Sequence, residues 1–274
     1  MEKLQPDELK GVSETLLIPL HYRVEESRRE TSAFRDEIGE RFHDAIDYDW
    51  DKFRGESFHS RVMAARFAIL DEQVKNFIQR APEGIVVNLG AGLDTRFHRL
   101  DNGTIKWIEL DLPAVIAFRR KLQEPESTRH RFIAASVLED TWVAGTRRNG
   151  KDRILLVAEG LLPYFTEEEH KHIFGYLADA FRGQEMLFHT MAPSLVEGLV
   201  QYSNMSKLRA NVELQWGLDD STQVSSLLNS KVRFVGEFSL LEGYYGLLPE
   251  QIRQKLSPDM AKKIAKIVHV RFDN

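Results

Sequence analysis

The sequence predicts an α/β fold built on a mostly parallel, doubly wound sheet. Three observations carry this. Short aliphatic runs alternate with stretches of helical periodicity, the first run ends in a glycine turn, and no Gly/Ser linker, low-complexity tract or internal repeat divides the chain. Strands separated by helices favour parallel pairing with helices on both faces. Of the 274 residues, 42% are hydrophobic and 29% charged, enough apolar material for one sizeable core, so a single domain over residues 1–274 is expected.

Residues 1–80 read as a helical N-terminal extension. Leu16, Leu17, Leu20, Val24 and Phe34 have helical spacing, and Val62, Phe67, Leu70, Val74, Phe77 and Ile78 recur at three and four, marking a long amphipathic helix. An aromatic, acidic stretch, Asp47 to Asp51, lies between. Strands are then expected at residues 85–89, 105–110, 131–135, 154–158, 185–190, 232–238 and 266–272. Pro113 suits the first turn of a helix. Thr166 with Glu169 forms a capping-box signature, and Gly183 supplies a stop. Residues 192–230 read as a helical cap insert over the sheet.

The net charge is −5 and no Lys/Arg stripe is present, which argues against a nucleic-acid partner. With no cysteine, disulfides, thiolate metal sites and a Cys nucleophile are excluded. Met1 to Gly11 lacks an apolar signal core, and no window reaches the roughly 18–20 apolar residues of a membrane span. A cytoplasmic protein without a membrane partner is expected; its oligomeric state is not legible.

In such a sheet, ligands sit beyond the carboxyl ends of the strands. Asn88 to Arg96 (NLGAGLDTR) follows the first strand, and Gly90 and Gly92 allow a sharp turn close to a ligand. Thr95 stands where a dinucleotide loop has its third glycine, and Asp94 would repel a pyrophosphate. A sulfonium cofactor, with a cationic amine and no pyrophosphate, suits the loop better. Asp111, 21 residues after Gly90, is placed for ribose hydroxyls or, alternatively, as a helix cap; Glu109 shares its strand face. Glu159 ends the most apolar strand, as an amine ligand or a structural ion pair. Arg61 and Arg66, in the helix before the first strand, are candidate carboxylate forks.

These residues together resemble the leucine carboxyl methyltransferase superfamily, in particular its bacterial polyketide-type O-methyltransferases. Val86 to Leu100 (VVNLGAGLDTRFHRL), Trp107 to Pro113 (WIELDLP), Ala158 to Thr166 (AEGLLPYFT) and Glu14 to Arg29 carry the likeness. The resemblance implies a Rossmann-like class I methyltransferase fold with a seven-stranded sheet, and S-adenosyl-L-methionine as cofactor. It implies that Arg61 pairs with the methionyl carboxylate, that Gly90, Ala91, Gly92 and Asp94 lie along the methionyl part, and that Glu159 sits at its end. Asp111 would hold the ribose, with Leu112 beside it among the cofactor-binding residues and Ser136 and Val137 at the adenine, where the family Asp is missing. Tyr164 would face the acceptor.

Methyl transfer from a sulfonium needs mainly alignment. A carboxylate acceptor requires no base, whereas a hydroxyl is helped by one, for which His189 and His21 are candidates. No metal is expected. Trp50, Tyr202, Trp216, Tyr244 and Tyr245 either line an aromatic acceptor site or belong to the core. The rival readings are a nicotinamide-dependent Rossmann oxidoreductase and a catalytically degenerate cofactor-binding protein.

Overall fold

The computed structural model describes residues 3–6, 9, 11–53, 57–146, 152–196, 213–242, 246, 250–254 and 257–273. Seven strands form one sheet: β1 (Ile85–Leu89), β2 (Lys106–Asp111), β3 (His130–Ala134), β4 (Ile154–Ala158), β5 (Glu185–Met191), β6 (Val232–Ser239) and β7 (Ala265–Phe272), in the order β3-β2-β1-β4-β5-β7-β6. The first five run parallel, and β7 enters antiparallel between β5 and β6.

The described helices are α1 (Leu17–Ser27), α2 (Glu37–Ala45), α3 (Ser57–Arg80), α4 (Arg96–Leu100), α5 (Pro113–Lys121), α6 (Glu167–Ala180), α7 (Val224–Leu227), α8 (Glu250–Arg253) and α9 (Pro258–Ile264). Ile85, Val87, Leu89, Leu156 and Phe188 pack on one face of the sheet with Ile173, Phe174 and Leu177 of α6. Val86, Leu155, Val157 and Leu187 pack on the other with Leu70, Val74 and Phe77 of α3. Successive residues of a strand point to opposite faces, and both faces are covered, which explains why β1, β4 and β5 are buried along their whole length. Leu17 and Leu20 of α1 and Phe42 of α2 join Val115 and Phe118 of α5 in a third cluster beside the sheet.

Local signals act where expected. Pro113 opens α5, and Thr166 and Glu169 form the reciprocal capping box of α6. Of the expected helical cap insert, residues 197–212 lie outside the described residues. Residues 193–196 are helical, but residues 213–218 have no regular structure, and a 3-10 turn and α7 follow. The irregular stretch is held by backbone bonds, Gln215 N–H donating to the Pro163 carbonyl and Leu218 N–H to that of Met191. Among the described residues, no helix is long and apolar enough to cross a membrane.

Candidate active site

β1 and β4 are neighbours, and the chain leaves them in opposite directions across the sheet. Such a reversal opens a crevice at the carboxyl ends of the strands. A cavity of about 520 Å³ lies there. Gly90, Ala91, Gly92, Asp94, Asp111, Leu112, Ser136, Val137 and Glu159 all line it, as do Arg66, Tyr164 and His189.

The loop after β1 turns on Gly90, whose φ of +62° lies in the left-handed region. An added Cβ there would stand 2.6 Å from Leu161 Cδ1, so a larger residue is excluded twice over. Carbonyls in this loop lack ladder partners, and buried carbonyls need donors. Arginines supply them. Arg23 donates to the Leu93 carbonyl at 2.6 Å, and Arg119 to those of Gly92 and Asp94, both at 2.9 Å. Neither residue was expected at the site, because an Arg inside a helical stretch gives no sign of reaching a distant loop.

Behind the loop lies a buried ionic network. Arg96 bridges Asp71, Asp94 and Glu159. Arg99 pairs with Asp71, and Asp36 accepts from Arg23 and Thr95. Burial pushes the Asp94 carboxyl up, but Arg96, Arg99, Arg23 and Arg119 outweigh it and hold the group well below the usual carboxylate range. Asp94 is therefore a paired anion. Glu159 also has partners, accepting from Arg66 Nε at 2.9 Å and Arg96 Nη2 at 2.6 Å.

Asp111 is no side-chain cap, since the N-cap position of α5 is Leu112, without a capping side chain. Its carboxylate accepts from Gly92 N–H and Leu112 N–H, each at 2.7 Å, and lines the cavity. Burial raises its pKa above the usual value. Glu109, two residues earlier, is fully buried against Asn88, Arg119 and His130, outside the cavity lining.

Two candidate residues lie outside the cavity lining. Arg61 is exposed and outside the lining, whereas Arg66 is buried within it. Five residues turn a helix by about 140° beyond a full turn, so the two cannot share a face. His21 is also outside the lining: its ring stacks on His43 and Trp50 and packs on Phe53. Trp50 stacks on His43 at 4.0 Å and Trp216 on His170 at 4.1 Å, which makes both packing residues. Tyr202, Tyr244 and Tyr245 lie outside the described residues. Tyr22 and Phe165 supply aromatic lining instead, with Ile18, Pro19, Met63, Met191 and Leu214 as apolar neighbours. Tyr164 bonds to Thr15, and burial raises its hydroxyl pKa.

Away from the cavity, His98, Glu124 and His130 gather potential metal-ligand atoms. Glu124 also pairs with Arg119 at 2.6 Å, so its charge is already answered within the fold.

Comparison with known proteins adds to this geometry. The family described as leucine carboxyl methyltransferase matches residues 17–178. The tetracenomycin polyketide synthesis O-methyltransferase TcmP of Streptomyces glaucescens is 31% identical over 236 residues, covering 85% of each chain. The S-adenosyl-L-methionine-dependent methyltransferase dpfgK of Gibberella zeae is 26% identical over 263 residues, covering 88% of each. A crystal structure from Thermobifida fusca YX, assigned as a methyltransferase, superposes with a TM-score of 0.61 at 13% identity, covering 97% of this chain and 96% of that one.

Proposed function

Because the chain belongs to the leucine carboxyl methyltransferase family and is an S-adenosyl-L-methionine-dependent methyltransferase, we propose that it methylates an oxygen, carboxylate or hydroxyl, of a small aromatic or polyketide-like acceptor. One observation carries this reading: a single cavity is lined both by polar groups that suit the cofactor and by apolar groups that suit such an acceptor. The polar groups include the glycine loop, Asp111, Ser136 and Glu159; the apolar ones include Ile18, Pro19, Met63, Met191 and Leu214, with the aromatic Tyr22, Tyr164 and Phe165. The 31% identity to a polyketide O-methyltransferase supports the same acceptor class.

The residues present fit the cofactor. Arg66 and Glu159 form a buried ion pair at the cavity wall, matching the opposite charges of an α-amino acid zwitterion. Arg66 would hold the methionyl carboxylate, in place of Arg61, and Glu159 the amine. Asp111 would accept from the ribose hydroxyls, keeping lone pairs free beyond its two backbone bonds. Ser136 and Val137 would lie at the adenine, with Gly90, Ala91, Gly92, Asp94 and Leu112 along the rest. When bound, S-adenosylmethionine supplies an activated methyl group. The protein then orients the acceptor against that methyl and keeps water out. Tyr164 and the apolar wall would perform the orientation within one domain.

Calorimetric titration with S-adenosylhomocysteine, and with NAD as control, tests the reading, followed by a screen of aromatic acids and phenols for methyl transfer. Binding of the first at micromolar affinity and transfer to an oxygen are expected. Binding of NAD alone, or transfer only to nitrogen, would overturn it.

A further inference from the structure

Asp111, assigned above to the ribose, does not stand alone. One of its oxygens accepts from the Gly92 N–H at 2.7 Å, so the aim of the carboxylate depends on the glycine loop. That loop has little stiffness of its own. Gly92 sits at a φ of +51°, in the left-handed region, and carries no Cβ to restrict rotation about its backbone. The peptide that follows Gly92 must therefore be held from outside the loop.

Arg119 of α5 holds it. Nη1 donates to the Gly92 carbonyl and Nη2 to the Asp94 carbonyl, both at 2.9 Å, so one planar fork pins two carbonyls of the loop. The guanidinium is itself fixed in place. Its Nε donates to Glu124 at 2.8 Å, Glu124 is bonded in turn to His98 Nε2 at 3.0 Å, and the fork lies 5.1 Å from the centre of the Phe132 ring. Arg119 is fully buried and stands outside the cavity lining, so any effect it has on a ligand passes through the loop.

We propose that Arg119 is a positioning residue for the cofactor: by pinning the glycine loop, it keeps the Gly92 N–H on Asp111 and the carboxylate aimed at the ribose. This rests on the cofactor assignment above. The same arrangement acts on charge. Burial pushes the Asp111 carboxyl up, and Glu109 adds to that push; the Gly92 and Leu112 amides and the positive charge of Arg119 oppose it. Arg119 thus acts on Asp111 in two ways, through the Gly92 N–H and through its own charge. Both favour the ionised carboxylate that accepts from hydroxyls. A residue that only stabilised the fold would do neither.

Calorimetric binding of S-adenosylhomocysteine across a range of pH, in two variants, tests the proposal. Arg119→Lys keeps the charge but not the fork, and it guards against a folding defect in the second variant. Arg119→Met combined with Glu124→Gln removes the charge together with its closest partner, so that Glu124 is not left as an unpaired buried anion. Arg119→Lys should weaken binding about tenfold and keep the parent's pH profile. The double variant should lose at least as much, and the pH below which affinity falls should move upward by about half a pH unit or more. In Asp111→Ala protein, which has already lost the ribose acceptor, either change should weaken binding by less than about threefold further. Parent-like affinity in the folded variants, an equally large loss in Asp111→Ala protein, or an unmoved pH profile in the double variant overturns the proposal. Failure of the parent to bind S-adenosylhomocysteine, or Asp111→Ala binding it as tightly as the parent, would instead remove the assignment beneath it.

Discussion

Arg96, which opens α4 directly after the glycine loop, donates to Glu159 at the end of β4 across 2.6 Å. One guanidinium therefore ties together the two loops that flank the cavity, while also neutralising Asp71 and Asp94. Arg96→Met should leave these carboxylates buried without their main partner and destabilise the protein by about 3–5 kcal/mol. Urea denaturation measures this, and a loss below 1 kcal/mol would show that the network is not a stabilising unit.

The proposed choice of Arg66 over Arg61 gives a paired test. Arg66→Gln should weaken S-adenosylhomocysteine binding by about tenfold or more, the worth of a charge-assisted hydrogen bond. Arg61→Gln, on the exposed face of the same helix, should leave affinity within about twofold. The reverse pattern in calorimetry would restore Arg61 to the site.

Asp111→Ala should weaken S-adenosylhomocysteine by about ten- to a hundredfold through loss of the proposed ribose acceptors, with the circular dichroism spectrum unchanged. Because burial raises the Asp111 carboxyl above its usual pKa, acid should reach it sooner than an exposed carboxylate. Affinity should fall as pH drops through that raised value, and Asp111→Asn should lose this dependence. An identical pH profile in the variant would argue against ionised Asp111 as the acceptor.

Glu185, at the start of β5, concerns stability rather than binding. Its bonds to His269 and Arg80 outweigh burial and lower its pKa to about 2. A lowered carboxylate stabilises the folded state above the unfolded pKa and loses that contribution as pH falls towards the folded one. Unfolding free energy should therefore decline between the ordinary carboxylate range and about pH 2, and Glu185→Gln should flatten this slope. A variant with the parent's acid slope would remove Glu185 from the account.

How far the sequence reveals such features depends on whether their signal is local. The central strands were legible because burial on both faces makes them nearly continuous apolar runs, as in Ile154 to Ala158, and β6 because its more and less exposed residues alternate. Gly90, Asp111 and Glu159 were legible as cavity residues because strand ends and glycine turns fix where they lie. Arg66 was not separable from Arg61, since both stand in one helix and only the helix's rotation against the sheet chooses between them. Arg23 and Arg119 were missed because their acceptors are backbone carbonyls 70 and 27 residues away, a pairing without periodicity. For Trp216 and Trp50 the sequence left both alternatives open, because an aromatic residue carries the same signal in a core as in a pocket.

The position of β7 has a consequence for biosynthesis. It follows the other six described strands in chain order, yet it lies inside the sheet, hydrogen-bonded to β5 on one side and β6 on the other. A nascent chain that has delivered everything up to residue 264 still has two open strand edges, and open edges invite pairing with other chains. The parallel half of the sheet can assemble during translation, but closure must wait for residues 265–272. Ribosome stalling, truncation or a bulky fusion near this strand should thus yield aggregated rather than merely inactive protein.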